Sequence, residues 1–570
     1  MALAYVPESV TRATGRSSAW LRGVDRSTLV WLIPFCLAGA YVVVFLAQLP
    51  HNLWVIGWNS DYASDFTIPT SVAQAGTGGN TVLGTAGGYL PLWLGLLTAK
   101  LPLHRELWEL APTGLFIATA ATVGWSVAQV ADRRAGMLAA LLILAASPRA
   151  LYIFIAPIPH SMIVYPGTAL LGAYLLWLAR GDGRRRWAAF ALPPLAGVLL
   201  GVCIASDFLL VATGVIPFAL TAALAGLQRA RRPRLIAASA LTSTVVAIPV
   251  AKLTSTTMGS LGFATLPPSS ETAALSTLPR HAELIWEGLR GLLNAYLKDT
   301  TPSVLNNGLG VACEVLMVTG LMTLLLVGVC ATARFTWSGL HRRGRGDSPQ
   351  LARSLHIIYW SGSAACTCVS FALSTRTEYV HEAYYATLVL SLAAVVALLT
   401  RSRSRARWLI CAGASIFFAA SIVGLASDYM ESYTLPIART PGSTSTRTYV
   451  SPVAHYADQI AAFARSNDAA VGFAGYGDAS DFTWMSHEQV TVRPVRVCGA
   501  AEGVGICPFF IATVPAWYIP AQRRTFLLVD STEGYLPALP GGLGKPIAAR
   551  RFGAVQVYVY PYDLASRLEP

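Results

Sequence analysis

Residues 29–49 read LVWLIPFCLAGAYVVVFLAQL, a run without a charged side chain. A helix needs about 20 such residues to cross the hydrocarbon core of a bilayer, and the run is too long for the apolar part of a cleaved signal peptide. Arginines between Arg12 and Arg26 precede it, and a long polar stretch follows it. Because arginine clusters remain in the cytoplasm, we predict that residues 1–28 are cytoplasmic and that this first membrane span leads outward.

The whole chain has the same apolar character. Of its 570 residues, 54% are hydrophobic and 12% are charged, whereas soluble domains have roughly 25% charged residues. The net charge is +13, but the arginines lie in short clusters between apolar runs, as membrane topology requires. We therefore expect a multi-pass cell-membrane protein without a nucleic-acid partner. The sequence contains no P-loop, zinc-ligand spacing, lipidation motif or internal repeat.

Apolar runs that alternate with arginine clusters predict about eleven spans. The segments predicted to be inside hold 23 Arg or Lys, against eight in the outer segments between spans. Residues 88–103 are apolar but are predicted to form a helix at the membrane interface, because a full span there would place the later arginine clusters outside. The outer loops are then about 50–108 and 252–308. The predicted spans are about 29–49, 109–130, 136–154, 161–179, 188–205, 208–227, 234–251, 309–333, 354–374, 383–400 and 408–426.

Residues 427–570 differ from the predicted membrane module, 29–426. They are turn-rich and include the β-rich runs TFLLVD (525–530) and AVQVYVY (554–560), and 453–466 has helical periodicity. We predict a small α/β domain outside the cell. Because that compartment is oxidising, Cys498 and Cys507 are expected to form a disulfide. The predicted fold class is thus mainly α, a polytopic transmembrane helical bundle with an extracytoplasmic α/β C-terminal domain.

The stretch after the first span, PHNLWVIGWNSDYASDFTIPTSVAQAG (50–76), concentrates acidic and aromatic residues. Asp61 and Asp65 are four residues apart, so they share one face if the stretch is helical. A carboxylate close to lipid is suited to act as a base, because burial disfavours its charged form. The alternative is an ordinary interface segment, since Asp and the tryptophans Trp54 and Trp58 are of types common at membrane interfaces.

This layout resembles the GT-C superfamily of multispan glycosyltransferases, of the protein O-mannosyltransferase and lipid A aminoarabinose transferase type. The shared features are an outward first span, an outer loop that opens with an acidic residue, and a Pro-containing helix, here YLPLWLGLLT (89–98). The segments ADRRAGMLAALLILAASP (131–148) and RTEYVHEAYY (376–385) also resemble the superfamily, and GYGDASDFTWMS (475–486) resembles the outer domain of GT-C-like bacterial proteins. The loop lacks the adjacent Asp-Glu pair that some members have.

The resemblance implies an inverting transfer of a sugar from a polyprenyl-phosphate donor to a cell-envelope acceptor on the outer face of the membrane. One carboxylate that takes the acceptor's hydroxyl proton is sufficient for in-line attack, whereas a retaining enzyme also needs a nucleophile. The resemblance implies Asp61 as the general base, because it is nearer the first span, with Asp65 as the second catalytic carboxylate. Asp65 is also able to bind an acceptor hydroxyl or a divalent metal, although no set of metal ligands is evident in the sequence.

The phosphate of such a donor needs positive charge or hydrogen-bond donors near the outer interface. Each candidate also has an ordinary alternative role: a helix-end position for His160, a helix N-cap for Asp207, and an ion pair for Arg376. The predicted substrate-binding residues are Trp58, Arg149, His160, Asp207, Arg376, Glu378 and His381.

Two further segments leave two interpretations open. The stretch 281–296 (HAELIWEGLRGLLNAY) is amphipathic, and it either lies at the interface over the site or packs against the bundle. Tyr476, Asp478, Asp481 and Trp484 provide a sugar platform, unless Trp484 belongs to the core of the domain.

Two other classes of function compete with a glycosyltransferase. A transporter or flippase of lipid-linked envelope intermediates predicts inverted repeats and charges at the membrane midplane, and the sequence shows neither. A non-catalytic protein of envelope or cell-wall assembly explains the outer domain but not the acidic loop. On the favoured interpretation the partners are membrane lipid, the lipid-linked donor and a glycan, lipid or protein acceptor.

Overall fold

A computed structural model of the chain shows a helical bundle followed by a small α/β domain, so the predicted fold class is confirmed. The structure describes residues 26–55, 60–83, 88–156, 158–180, 186–228, 231–265, 272–300, 303–341, 348–374, 382–401, 404–434, 452–498, 505–532 and 534–569. The predicted site residues Trp58, Arg376, Glu378 and His381 lie outside this part.

The bundle is made of helices α1 to α16. Their bounds are Arg26–Val55 (α1), Ser60–Ala75 (α2), Tyr89–Thr98 (α3), His104–Val130 (α4), Arg133–Leu144 (α5), Pro148–Ile155 (α6), Tyr165–Arg180 (α7), Arg186–Ser206 (α8), Ile216–Gly226 (α9), Arg231–Ser260 (α10), Leu278–Leu292 (α11), Leu297–Thr300 (α12), Val304–His341 (α13), Ser348–Ala372 (α14), Glu382–Leu399 (α15) and Ser404–Thr434 (α16). Turns of π-helix at His160–Val164 and Val211–Val215 lead into α7 and α9.

The bundle contains helices of membrane-spanning length. Among the described residues, five are long and apolar enough to cross a bilayer, and a bent pair adds a sixth. The five are His104–Val130, His160–Arg180, Pro233–Ser260, Val304–Ser338 and Arg405–Ala426. The chain is therefore a multi-pass membrane protein, while the count of about eleven spans stays a prediction. Helix α16 continues to Thr434, beyond the predicted end of the last span at 426.

The predicted third span, 136–154, is two helices rather than one. Helices α5 and α6 meet at an angle of 86°. The Ser147 hydroxyl accepts from the Ala150 backbone N–H and starts a new helix whose first residue is Pro148. Since proline cannot donate the backbone hydrogen bond that would continue α5, the chain turns here. The Ser147–Pro148 pair at the end of AASP is the sequence signal for this break, and the prediction of a single span did not take it into account.

Segments predicted to lie inside meet at one end of the bundle. The Arg401 guanidinium lies 3.4 Å from the carbonyl oxygens of Val130 and Ala131, and Arg180 donates to Gln129. Helix α16 begins at this end, and its other end leads toward the C-terminal domain. The grouping agrees with the predicted alternation of the loops.

The C-terminal domain is a six-stranded sheet with helices on it. Helices α17 (Pro452–Ser466) and α18 (Tyr476–Met485) belong to this domain. The strand order is β5-β4-β3-β6-β8-β7, in which β3 pairs in parallel with β4 and β6 and the other pairs are antiparallel. The strands are Val471–Gly475 (β3), Thr491–Cys498 (β4), Gly505–Pro508 (β5), Thr525–Asp530 (β6), Ala548–Phe552 (β7) and Val555–Tyr560 (β8). The predicted helix 453–466 and strand 525–530 are confirmed.

A two-stranded ribbon helps to fix the domain on the bundle. Strand β1 (Thr81–Val82) pairs in parallel with β2 (Phe263–Ala264), which joins the two predicted outer loops. The Val82 carbonyl then accepts from the Thr513 backbone N–H at 3.1 Å. Helix α11, the amphipathic segment of the sequence, buries Leu284, Leu289 and Leu292, so its apolar face packs against the bundle.

Candidate active site

The acidic stretch after the first span forms helix α2, so Asp61 and Asp65 lie one helical turn apart. Asp65 is buried, with 6% of its surface exposed. The side chain of Asp61 is outside the described part of the structure. At least one of the two predicted carboxylates is therefore held away from bulk water.

Helix α18 of the C-terminal domain covers α2. Thr67 Oγ1 donates to Ser480 Oγ at 3.3 Å, and the Phe66 ring meets the edge of the Trp484 ring at 4.7 Å. Trp484 is 1% exposed, which supports its predicted core role over the sugar platform. Since α18 is sandwiched between α2 and the sheet, nine of its ten residues are buried.

The start of α4 completes this contact between bundle and domain. The Arg105 guanidinium lies 4.1 Å from the centre of the Trp484 ring and donates to the Trp484 carbonyl at 3.1 Å. Next to it, His104 stacks on Phe66 at 5.1 Å and faces the Glu488 carboxylate at 3.6 Å. Neither Arg105 nor His104 was singled out in the sequence, where they appear as ordinary charged residues before a span.

Helix α18 brings two more buried carboxyl groups to this contact, Asp478 and Asp481. Asp481 is fully buried, and in the described part of the chain neither of its carboxylate oxygens has a hydrogen-bond partner. Burial raises the pKa of the Asp481 carboxyl well above its usual range, because an uncompensated charge is costly away from water. The folded domain therefore favours the protonated form of Asp481.

We expect this burial to make the domain less stable as the pH rises. Because the carboxyl's pKa is higher in the folded state than in the unfolded state, folding binds a proton, and stability falls above the ordinary pKa of about 4. The loss is about 1.4 kcal/mol for each pH unit until the folded pKa is passed. Asp481→Asn removes the titration, so its melting temperature should exceed that of the wild type by more at pH 8 than at pH 5. An equal difference at both pH values would contradict this prediction.

His160 and Asp207 form a pair. Nδ1 of His160 is hydrogen-bonded to Oδ2 of Asp207, and both side chains are largely buried. The other oxygen of Asp207 accepts from the Leu209 backbone N–H at 3.0 Å, so the predicted capping role coexists with the pairing. A carboxylate on Nδ1 fixes the ring orientation and leaves Nε2 as the nitrogen available to a ligand.

Helix α3 connects this pair to the carboxylate helix. A Cβ on Gly88, at the start of α3, would lie 2.6 Å from the Ser206 carbonyl oxygen and 3.3 Å from the Pro159 ring, the neighbours of Asp207 and His160. A Cβ on Gly95 of the same helix would lie 2.6 Å from Pro69 of α2. Only glycine allows both approaches, so the elements that carry His160–Asp207 and Asp65 both pack closely against one short helix.

Helix α15 also contacts the histidine. The Tyr384 ring meets the His160 ring edge to face at 5.5 Å. Tyr384 is three residues after His381 in the sequence. The positions of Arg376, Glu378 and His381 are outside the described residues.

Arg149 lies at the bend between α5 and α6. Its guanidinium is 4.6 Å from the centre of the Tyr296 ring, and the Ser147 hydroxyl beside it donates to the Gly291 carbonyl at 3.0 Å. This cation–π contact holds the positive charge of Arg149 at the bend between α5 and α6. The described structure shows no contact between Arg149 and the His160–Asp207 pair.

The predicted disulfide between Cys498 and Cys507 is present and joins β4 to β5. Within the described residues, these two cysteines with Glu569 are the grouping of potential metal ligands. Because metal binding requires thiolates and the two sulfurs are bonded to each other, this grouping does not fit a metal ion.

The fold and the site define a class of protein: a multi-pass helical bundle with a C-terminal α/β domain and a buried carboxylate on a helix that packs against that domain. No protein-family profile and no curated protein sequence matches the chain. Solved structures do match. ArnT from Cupriavidus metallidurans in the apo state is 14% identical, with 94% of this chain and 99% of that chain covered, at a TM-score of 0.43.

Two further solved structures are similar. ArnT bound to undecaprenyl phosphate is 13% identical over 93% of this chain and 99% of that chain, at a TM-score of 0.44. The Archaeoglobus fulgidus oligosaccharyltransferase in complex with Zn and sulfate is 14% identical, with 81% of this chain but 62% of that chain covered, at a TM-score of 0.40. With identities of 13–14% and TM-scores of 0.40–0.44, these likenesses assign neither a family nor a residue role to this chain.

Proposed function

We propose that the protein is an inverting glycosyltransferase that moves a sugar from a polyprenyl-phosphate donor to a cell-envelope acceptor. The observation that carries the proposal is the burial of Asp65 on α2, the helix against which the domain helix α18 packs. A lipid-linked donor presents its sugar at the membrane surface, and a carboxylate sheltered there is placed to act on an incoming acceptor.

In the proposed reaction, the carboxylate takes the proton of the acceptor hydroxyl as the oxygen attacks the anomeric carbon. The bond between that carbon and the phosphate oxygen breaks, and polyprenyl phosphate leaves. We assign the base to Asp65, with Asp61 one turn before it as the second carboxylate, which reverses the order favoured from the sequence. The reason is that Asp65 is buried, on a helix that packs against α18.

The phosphate side of the reaction is assigned to His160 and Asp207. The Asp207 carboxylate holds Nδ1 of His160, so the ring presents Nε2. A protonated imidazole in this position donates its Nε2–H to a phosphate oxygen. Arg149, Arg376 and His381 are further candidates for this phosphate. Whether a divalent cation takes part is decided by removing metals with EDTA and adding back Mg²⁺, Mn²⁺ or Zn²⁺.

We expect His160→Ala to weaken donor binding. A hydrogen bond to a charged group contributes about 1.5–3 kcal/mol, which is roughly a ten- to hundredfold rise in KM for the donor. Asp207→Asn should cause a smaller rise in KM, because the imidazole is still present but loses the carboxylate that is hydrogen-bonded to its Nδ1. Steady-state kinetics with varied donor measure both effects. A fall in kcat with an unchanged KM in His160→Ala would contradict this role.

The proposal places the N-terminus in the cytoplasm and the C-terminal domain outside. Arginines that meet at one end of the bundle and a disulfide in the domain beyond the opposite end support this orientation. Labelling of a single cysteine, engineered at exposed Lys545, with a membrane-impermeant reagent in intact cells tests it.

Transfer itself is tested with purified protein in nanodiscs and radiolabelled polyprenyl-phosphate pentoses and hexoses, with an extracted envelope fraction as the acceptor. We expect label in the acceptor, release of polyprenyl phosphate and inversion at the anomeric carbon. The same protein in sealed liposomes provides the contrast. Movement of unchanged donor across the bilayer without transfer would favour a flippase and contradict the proposal.

A further inference from the structure

The C-terminal domain exposes two neighbouring aromatic rings, Phe510 and Tyr535. Phe510 is 57% exposed and Tyr535 is 44% exposed. We call these two residues the aromatic shelf. Aromatic side chains usually bury most of their area, so two that remain this open beside each other are available to a ligand.

The shelf rests on a rigid layer of buried rings. Phe509 lies beneath both residues, with its ring centre 4.7 Å from that of Phe510 and 4.9 Å from that of Tyr535. Tyr476 stacks under Phe509 at 4.4 Å with the ring planes nearly parallel. Because the supporting rings are buried and packed, the exposed rings are held in place before any ligand arrives.

Backbone hydrogen bonds fix the two chain segments of the shelf to strand β4. The Val497 backbone N–H donates to the Tyr535 carbonyl at 3.1 Å, and the Phe509 backbone N–H donates to the Pro494 carbonyl at 3.2 Å. The Cys498–Cys507 disulfide closes the same edge of the sheet. Neither ring lies in a helix or a strand, but a backbone hydrogen bond ties the segment of each ring to strand β4.

A positive charge lies beside the rings. The Arg496 guanidinium is 5.6 Å from the centre of the Phe510 ring, and Arg496 is exposed. The shelf thus combines apolar faces with N–H donors at its rim. A sugar ring has the complementary form, since one face presents C–H groups and its edge carries hydroxyls that accept hydrogen bonds.

The shelf is close to α2, the helix that carries Asp65. Tyr476 is the first residue of α18, the helix that packs on α2. Tyr476 and Phe509 belong to one hydrophobic core with Ile68 of α2, three residues after Asp65, and Tyr89 of α3. A bound carbohydrate chain that lies across the shelf would therefore extend toward α2, the helix that carries the proposed base.

We propose that the aromatic shelf, with Arg496, binds a carbohydrate chain and delivers its end to the carboxylate helix as the acceptor. This inference rests on the proposed function, and it narrows the acceptor from a glycan, lipid or protein to a glycan. It also moves the sugar platform from Trp484, which is buried against Phe66, to Phe510 and Tyr535.

The test measures sugar binding without a donor. Saturation-transfer NMR on the full-length protein in nanodiscs uses four tetrasaccharides, of glucose, mannose, galactose and arabinose. We expect at least one to bind, and Phe510→Ala and Tyr535→Ala to raise its dissociation constant about tenfold each, as for a contact residue of a binding site. Ile547→Ala is the matched control, since Ile547 is 50% exposed beside β7, at the opposite edge of the sheet.

Binding of none of the four sugars, or binding that the alanine variants leave unchanged, would overturn the proposal. Contact of the Phe510 ring with lipid headgroup protons and not with sugar would identify the membrane surface as the occupant and would also overturn it. Sugar transfer without sugar binding at the shelf would refute only the proposed role of the shelf. Sugar binding at the shelf without transfer would support that role and refute the proposed glycosyltransferase function.

Discussion

Asp65→Asn should lower the rate of sugar transfer by at least about a hundredfold, as the loss of a general base does in other enzymes. The substitution keeps the size and the planar shape of the side chain but removes its ability to take a proton. Because Asp65 is buried, bulk water has little access to replace it as the base. The measurement is kcat with a saturating radiolabelled donor, together with the affinity for polyprenyl phosphate, which should stay within about threefold of the wild type.

Asp61→Asn is the matched control, because it makes the same chemical change one turn earlier on the same helix. We expect a smaller loss for Asp61→Asn than for Asp65→Asn. A larger loss at Asp61 would return the base to the residue that the sequence favoured. Full transfer in both variants would remove the carboxylates of α2 from the mechanism altogether.

The sequence was sufficient for those parts of the fold that depend on local patterns. Helix 453–466 and strand 525–530 follow from periodicity and β-propensity, and the disulfide follows from two cysteines in a predicted oxidising compartment. The first apolar run and the acidic helix after it were also found, since length and spacing alone define them. Asp207 was identified as a helix cap from the local pattern SDF, and it does accept from the Leu209 backbone N–H.

The sequence did not show which segments meet. His160 and Asp207 were selected separately, but their pairing joins residues 47 positions apart and depends on the packing of Gly88 between their neighbours. The docking of α18 on α2 was missed for the same reason. Nothing local in GYGDASDFTWMS indicates that Trp484 lies under a ring from residue 66, because contacts of this range are set by the tertiary fold.

The predicted sugar platform shows that a sequence does not reveal which aromatic side chains are exposed. The sequence offered Tyr476 and Trp484 as sugar-binding rings, yet they are 8% and 1% exposed. Phe510 and Tyr535 are the exposed rings, and nothing in the sequence around either residue marks it as a binding residue. Which aromatic residues face solvent depends on the side of the sheet that α18 and the bundle cover.

Arg105→Ala should release the C-terminal domain from the bundle and reduce transfer at least tenfold. The substitution removes the guanidinium from the Trp484 ring and from the Trp484 carbonyl. A partly buried cation–π contact and a charged hydrogen bond together contribute about 2–4 kcal/mol, so the undocked population should rise roughly thirtyfold or more. Since α18 packs on α2, the helix that carries Asp65, we expect undocking to admit water to the proposed base, and the rate should fall although no reacting group has changed.

Hydrogen exchange distinguishes undocking from unfolding. In Arg105→Ala, backbone amides of α2 and of α18 should exchange faster, while those of strands β6 and β8 in the centre of the domain should keep their protection. Arg550→Ala is the matched control, because Arg550 makes a comparable contact with the Phe552 ring, at 5.0 Å, wholly within the domain. It should leave both the exchange and the transfer rate as in the wild type. A loss of activity in Arg105→Ala with unchanged exchange in α2 and α18 would contradict this prediction. It would indicate that Arg105 acts on the substrate directly and not by holding the C-terminal domain on the bundle.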